Sequence, residues 1–183
     1  MVQHVKGAFF ADYVRMLRSR SAVDHSAFLE PEDKGYLSEQ IDPMEWYPMR
    51  TFERMGLAIL EILAEGDLSR VRLFGRQSVR WVADAYPGLV VDNDPRETLM
   101  RVQVLRRTFF DFPAVEMPSI SDGEARLEIN FKLGRLAEKA AVHQTMGFFE
   151  GLLDRAGGQN VHAVLQHEAW EGSPATVILL AWE

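Results

Sequence analysis

The run ARLEINFKLGRLAEKAAVHQTMGFFEGL, residues 125–152, decides the fold. Its first residues alternate apolar and polar side chains, as in a β-strand with one buried face. From Gly134 onward the apolar residues have helical spacing, and Gly157-Gly158 is a typical helix stop, so we expect the helix to span 134–156. The stretch therefore predicts a strand that leads directly into a long helix, with Arg135 at the junction.

Two predicted hairpins flank this helix. Before it, VEMPSI and ARLEINF surround SDG, and after it, VHAVLQHEAW and ATVILLAWE surround EGSP. The run from Val177 to Trp182 is uniformly apolar, so we expect a central strand with both faces covered. The order ββ-α-ββ predicts a four-stranded antiparallel sheet with one long helix.

The first half of the chain is predicted to be helical. Apolar spacing indicates helices over 7–20, 48–65, 68–85 and 94–110, with shorter ones near 26–30 and 32–40. Asp67 and Asp94 are the expected N-caps of two of them, and Glu97 is expected to complete a capping box with Asp94. We therefore predict an α+β fold in a single domain, 1–183, with a helical half, 1–112, and a ββ-α-ββ half, 113–183.

Composition excludes several classes of function. The 183 residues contain no cysteine, which excludes disulfides, thiol catalysis, thiolate zinc sites and iron–sulfur clusters. A formal net charge of −7 argues against nucleic acid and anionic membranes as partners. The sequence lacks the long apolar run of a signal peptide or a membrane span, so a cytoplasmic location is expected.

No catalytic or metal-binding motif stands out. The serines do not form a Gly-x-Ser-x-Gly motif, and no glycine-rich phosphate loop is present. His162 and His167 lie five residues apart on one predicted strand, so they point to opposite faces and cannot chelate one metal without a bulge. We expect no enzyme activity, no metal and no cofactor; an enzyme with an unrecognised site is a distant alternative.

Four runs carry a resemblance to a known superfamily: VKGAFFADYV at 5–14, WYP at 46–48, GFFEGLLDRAGGQNV at 147–161 and GSPATVILLAW at 172–182. With the order of predicted elements, they resemble the superfamily of haem–nitric-oxide-binding domains, vinyl-reductase-type ligand domains and Golgi-tethering TRAPP subunits. Within it, the chain is most similar to a paralogous family of myxobacterial proteins. The resemblance covers nearly the whole chain and implies a sensory or regulatory binding module.

The sequence departs from that superfamily at the haem site. In the haem sensors, a Tyr-x-Ser-x-Arg motif holds the haem propionates, and a histidine on the helix before the first hairpin binds iron. The motif positions here are Phe131, Leu133 and Arg135, and residues 97–113 contain no histidine. Met100 is the candidate iron ligand in that stretch, although its helical spacing favours a core position. The resemblance therefore implies a relative without haem.

Arg135 is the strongest candidate for binding a small organic ligand. It would anchor a carboxylate or phosphate in the cleft between the two halves, or else tie the halves together as a structural residue. Trp46 and Tyr47 are the expected aromatic wall of that cleft, and Phe131 lies on the strand that leads to Arg135. A pure interaction scaffold without a ligand is the alternative function.

Two features are candidates for partner binding. Arg72, Arg76 and Arg80 recur every four residues, which predicts a positive stripe. It is either a solvated face paired with nearby Asp and Glu or a docking surface for an acidic protein or an anionic ligand. Phe148 and Leu152 form a second apolar stripe on the long helix. Either the N-terminal helices or a second subunit must cover this stripe, and a homodimer is the favoured expectation.

Overall fold

The computed structural model describes residues 2–183. A helical first half is followed by two hairpins with a long helix between them. The elements are β1 His4–Lys6, α1 Gly7–Arg18, α2 Pro31–Gly35, β2 Trp46–Pro48, α3 Met49–Ala58, α4 Leu68–Ala85, α5 Pro95–Phe109, β3 Val115–Ile120, β4 Glu124–Ile129, α6 Arg135–Arg155, β5 His162–His167 and β6 Thr176–Ala181. A π-helical turn, Ile59–Leu63, continues α3, and a 3₁₀ turn, Ala169–Glu171, lies between β5 and β6.

The four long strands form one antiparallel sheet in the order β3-β4-β6-β5. Together with α6 and the helical first half, this sheet confirms the predicted α+β fold. Leu127 of β4 is paired in register with Ile178 of β6, and both side chains are fully buried in the same core as α6. Strand β6 is central, as predicted. Its second face is more open than predicted, because Leu179 is only half-buried and its neighbour Val164 is exposed.

A short second sheet was not predicted. β1 and β2 pair antiparallel, with His4 opposite Pro48 and Lys6 opposite Trp46. Pro48 was expected to begin a helix, but it is the last residue of β2, has an extended backbone and precedes the first turn of α3. Three-residue strands show no readable alternation, and the partner strand lies about forty residues away in the chain, so periodicity gives no sign of this pairing.

Caps set the starts of α4 and α5. The carboxylate of Asp67 accepts a hydrogen bond from the backbone N–H of Ser69 at 2.7 Å, and that of Asp94 accepts from Glu97 N–H at 2.8 Å. Both predicted N-caps are confirmed. The predicted capping box at α5 is wrong, because the Glu97 carboxylate accepts from Arg101 Nε at 3.1 Å. α4 and α5 consequently begin within a residue of their predicted starts.

A buried carboxylate fixes α2 against α3. Asp33 is fully buried and accepts hydrogen bonds from Thr51 Oγ1 at 2.6 Å, Arg54 Nη2 at 2.7 Å and the backbone N–H of Glu30 at 2.9 Å. Burial disfavours the charged form, but these donors outweigh burial and hold the pKa of Asp33 below its usual value. Asp33 therefore stabilises the fold in its ionised form.

Asp33→Asn should change how stability depends on pH. Because the folded-state pKa of Asp33 is depressed, its stabilisation is present above the unfolded-state pKa of about 3.9 and is lost as pH falls through the folded-state value. We expect the variant to melt earlier at neutral pH and to lose less further stability between about pH 5 and about pH 2. Thermal melts across this range test this, with the exposed Asp122→Asn as control. Parallel curves for Asp33→Asn and the unchanged chain would contradict it.

Helices α4 and α6 lie in backbone contact. A Cβ placed on Gly147 of α6 would lie 1.8 Å from the carbonyl oxygen of Arg72, and one placed on Gly75 of α4 would lie 2.0 Å from that of Gln144. Only glycine permits this approach at both positions. Among residues 2–183, no helix combines the length and apolar character needed to cross a membrane.

Candidate functional site

An aromatic cavity lies where the helical half meets the sheet half. Its volume is about 70 Å³, and its walls come from α1, α3, α4, α5, α6 and the start and end of the first hairpin. The aromatic members of the wall are Phe9, Tyr13, Phe52, Phe109, Phe110, Phe131, Phe148 and Phe149. These residues are spread over most of the chain, so the fold itself brings them together.

Direct ring contacts fill most of the space around this cavity. Phe9 of α1 lies 5.2 Å from the ring of Phe109, 5.9 Å from that of Phe110 and 5.7 Å from that of Phe148, measured between centroids. Phe110 also lies 5.5 Å from Phe131. Such pairs add roughly 0.5–1.5 kcal/mol each beyond the area that they bury. The two halves are therefore joined by a packed aromatic cluster.

A small polar cluster forms one wall of the cavity. Asp12 of α1 and Ser78 of α4 are only 5% and 6% exposed. The hydroxyl of Ser78 is hydrogen-bonded to Oδ2 of Asp12, and Arg15 Nη1 donates to Oδ1 at 3.1 Å. Burial raises the pKa of Asp12, although Ser78 and Arg15 oppose this. Burial, with a smaller effect of Asp12, raises the pKa of Tyr13 far above its usual range, so its phenol is uncharged.

Among residues 2–183, no histidine lines the cavity. His143 lies on α6, and burial lowers its pKa, so its imidazole is neutral near pH 7. The imidazole Nδ1 of His4 lies 2.6 Å from the carboxylate of Asp111. Within residues 2–183, no three His, Asp or Glu side chains are grouped to hold a metal ion.

Comparison with solved structures gives consistent matches to one class of protein. An H-NOX protein from K. algicida in the Fe(II) unliganded state aligns over 97% of this chain and 96% of that chain, with a TM-score of 0.68 at 13% identity. An H-NOX protein from S. oneidensis in the Fe(II)NO ligation state aligns over 97% and 99%, with a TM-score of 0.63 at 10% identity.

The chain has the H-NOX fold. A third match, an oxygen-binding H-NOX domain related to soluble guanylate cyclases, covers 97% of this chain and 95% of that chain at 12% identity, with a TM-score of 0.65. At such low identities the likeness concerns the fold alone. Comparison of the sequence with family models and with curated proteins finds no match.

The residues inside this H-NOX fold do not fit a haem. A volume of about 70 Å³ is far below the roughly 300–1,000 Å³ of ordinary cofactor pockets. The helix before the first hairpin, α5, has no histidine. Met100 lies on the outer side of α5, and its side chain is 42% exposed. The predicted core position of Met100 is therefore wrong, because α5 buries Leu99 and Val102 instead.

The structure contradicts the interpretation of Arg135 as a tie between the two halves, and Arg135 does not line the cavity. Its side chain is 72% exposed, and Nη2 donates to Glu171 Oε1 at 2.7 Å within the sheet half. The contact between the halves at this junction comes from the backbone: Gly134 N–H donates to Glu53 Oε1 of α3 at 2.7 Å. The buried Glu138 accepts from Phe131 N–H and turns the chain from β4 into α6.

Of the four residues predicted to bind a ligand, only Phe131 lines the cavity. Trp46 is exposed on the short sheet, with the ammonium of Lys6 4.0 Å from its ring centroid. Tyr47 stacks on Phe10 at 4.5 Å, and its hydroxyl accepts from Asp42 N–H at 3.0 Å. Trp46 and Tyr47 therefore do not line this cavity, because the unpredicted pairing of β1 with β2 places them elsewhere. A ligand-binding role for them stays a prediction.

The arginine stripe of α4 is not a free positive surface. Arg72 Nε donates to the buried Glu150 of α6 at 2.9 Å, and its Nη2 donates to the carbonyl of Ala163 in β5 at 2.8 Å. Arg76 is also paired with Glu150, at 3.4 Å. Arg80 lies 4.1 Å above the ring of Trp81. Arg72 and Arg76 thus pair with nearby carboxylates, as one of the two alternatives expected, and they join α4 to α6. Docking of an acidic partner stays a prediction.

The apolar stripe of α6 is covered within the chain. Phe148 and Leu152 are both buried, and Phe148 contacts Phe9 of α1. The intramolecular cover is therefore the correct alternative, and this stripe is not a subunit interface. A homodimer stays a prediction and would need a different surface.

Proposed function

We propose that this chain is a haem-free, non-catalytic regulatory module of the H-NOX fold that acts by binding a small ligand or a protein partner. The observation that carries the proposal is the aromatic cluster, because it occupies the space between the two halves and leaves a cavity of only about 70 Å³.

The available iron donors also support a haem-free module. Haem iron in proteins is held by His, Cys, Met or Tyr side chains. Cysteine is absent from the sequence, and Tyr13 is the tyrosine on the cavity wall. Its raised pKa disfavours the phenolate that would bind iron. Met100 lies on the outer side of α5, away from the cavity wall.

The polar cluster of the cavity supports binding better than catalysis. Ser78 and Asp12 are hydrogen-bonded, but a serine nucleophile also needs a base that takes its proton and donors for the developing oxyanion. The base in known triads is a histidine, and the cavity wall has none among the described residues. Asp12 is instead paired with Arg15.

A pure interaction scaffold is the second candidate function. Met100 and Val104 lie one turn apart on the outer side of α5 and are 42% and 77% exposed. They line a shallow groove with Pro87, Leu89 and Leu105. Exposed apolar side chains grouped in this way are typical of protein contact surfaces.

A hemin titration tests the proposal. We expect purified protein to give no sharp, saturable Soret band at one equivalent of hemin, because the aromatic cluster leaves no space for the macrocycle. The H-NOX protein of K. algicida serves as positive control. A saturable one-to-one band would contradict the proposal, and loss of that band in Met100→Leu would identify the ligand.

A further inference from the structure

The volume of the aromatic cavity limits the size of a ligand. An apolar protein cavity of about 150 Å³ holds benzene, and this cavity has about 70 Å³. By this comparison the cavity holds a ligand of about three non-hydrogen atoms. An acyl chain, an aromatic ring or a nucleotide is therefore too large to fit wholly inside it.

The charges around the cavity favour a neutral ligand. Its two charged wall residues, Asp12 and Arg106, each have an opposite partner: Arg15 for Asp12 at 3.1 Å, and Glu116 for Arg106 at 2.8 Å. A charged ligand would lose its hydration without gaining a free counter-ion. The surrounding aromatic rings favour an apolar body.

The polar wall is rich in acceptors. Ser78 Oγ lies within hydrogen-bond distance of both Asp12 Oδ2 and the carbonyl of Phe74, but it has one proton for the two. The hydroxyl of Thr145 donates its proton to the backbone carbonyl of Ala141 at 2.8 Å. These oxygens retain free lone pairs, so a ligand that donates a hydrogen bond is bound better than one that only accepts.

We propose that the cavity between α1, α4 and α6 binds a short neutral alcohol, whose hydroxyl donates to the Asp12–Ser78 cluster and whose carbons contact the phenylalanine rings. The inference rests on the proposed function, because a haem would need the same space. A ligand of about three non-hydrogen atoms binds with a Kd of roughly 1 mM at best, so the natural ligand is an abundant one.

Amide NMR titrations of the full chain with ethanol and acetonitrile test the proposal. The two probes have equal numbers of non-hydrogen atoms, but only ethanol donates a hydrogen bond. We expect ethanol to give saturable shifts at the cavity residues. Acetonitrile should bind about tenfold more weakly, because it lacks the one hydrogen bond that ethanol donates. If the unmodified protein showed no saturable shifts, or bound both probes with equal affinity, the proposal would be overturned.

Two variants sharpen this test. Ala141→Val fills part of the cavity and should abolish ethanol binding, whereas Ala181→Val, on the half-exposed outer face of the sheet, should leave it unchanged. Retained ethanol binding in a folded Ala141→Val would overturn the location. Hemin is titrated into the same sample. A Soret band contradicts the proposed function, whereas failure of ethanol alone contradicts only the alcohol site.

Discussion

Gly147→Ala is expected to lower the free energy of unfolding by roughly 3 kcal/mol or more. The new Cβ would lie 1.8 Å from the carbonyl oxygen of Arg72, so α4 and α6 must move apart. Because the obstacle is backbone, a change of side-chain rotamer gives no relief. The movement would also open the salt bridges of Arg72 and Arg76 to Glu150.

Chemical denaturation measures this effect, and Gly35→Ala is the matched control. A Cβ at Gly35 meets only the flexible end of Glu39, at 3.4 Å. Alanine is also the better helix former, so the control should be neutral or slightly stabilising. If Gly147→Ala unfolded at the same denaturant concentration as the unchanged chain, α4 and α6 would not be in backbone contact.

Arg72→Ala should give the second-largest loss, about 3 kcal/mol, equivalent to roughly 6–12 °C in melting temperature. The substitution leaves Glu150 buried, with only the longer contact to Arg76 and the N–H of Ala163 as partners. It also removes the donor to the carbonyl of Ala163, at the free edge of β5.

Arg135→Ala is the control for this measurement. Its exposed pair with Glu171 is worth at most about 1 kcal/mol. The melting temperature of this variant should therefore stay close to that of the unchanged chain. If Arg135→Ala lowered the melting temperature strongly and Arg72→Ala did not, then Arg135 and not Arg72 would be the arginine that stabilises the fold.

Periodicity predicted most of the secondary structure because the long elements repeat a clear apolar pattern. α4 runs over the predicted residues, since the Asp67 cap starts it and Tyr86-Pro87-Gly88 follows its end. The two hairpins were likewise readable from alternation and turn residues. Strands β1 and β2 were not, because three residues are too few to show a period.

The roles of single polar residues depend on contacts between elements that are distant in the chain, and the periodicity of the sequence gives no information about such contacts. Arg72 and Arg135 look alike in the sequence, but α4 and α6 cross so closely that Glu150 is buried beside Arg72. One signal was present: Gly147 and Gly151 lie four residues apart inside a long helix. Each glycine costs a helix about 1 kcal/mol, and such a pair therefore indicates close packing.

The aromatic cavity was also beyond sequence reasoning, apart from Phe131. Its rings come from Phe9 near the start, Phe109 and Phe110 at the end of α5, and Phe148 within α6. Phe9 and Phe148 lie in two of the runs that carry the family resemblance, but a phenylalanine at helical spacing gives no sign of a cavity. Only the folded arrangement shows that they meet where the two halves of the H-NOX fold join.

Native mass spectrometry of protein purified from its own host tests whether aromatic side chains fill the interior of this H-NOX fold and exclude haem. We expect the mass of the polypeptide alone, or of its oligomers, without an adduct of the mass of haem. A stoichiometric haem adduct that survives gentle desolvation and is lost when the protein unfolds would contradict the claim.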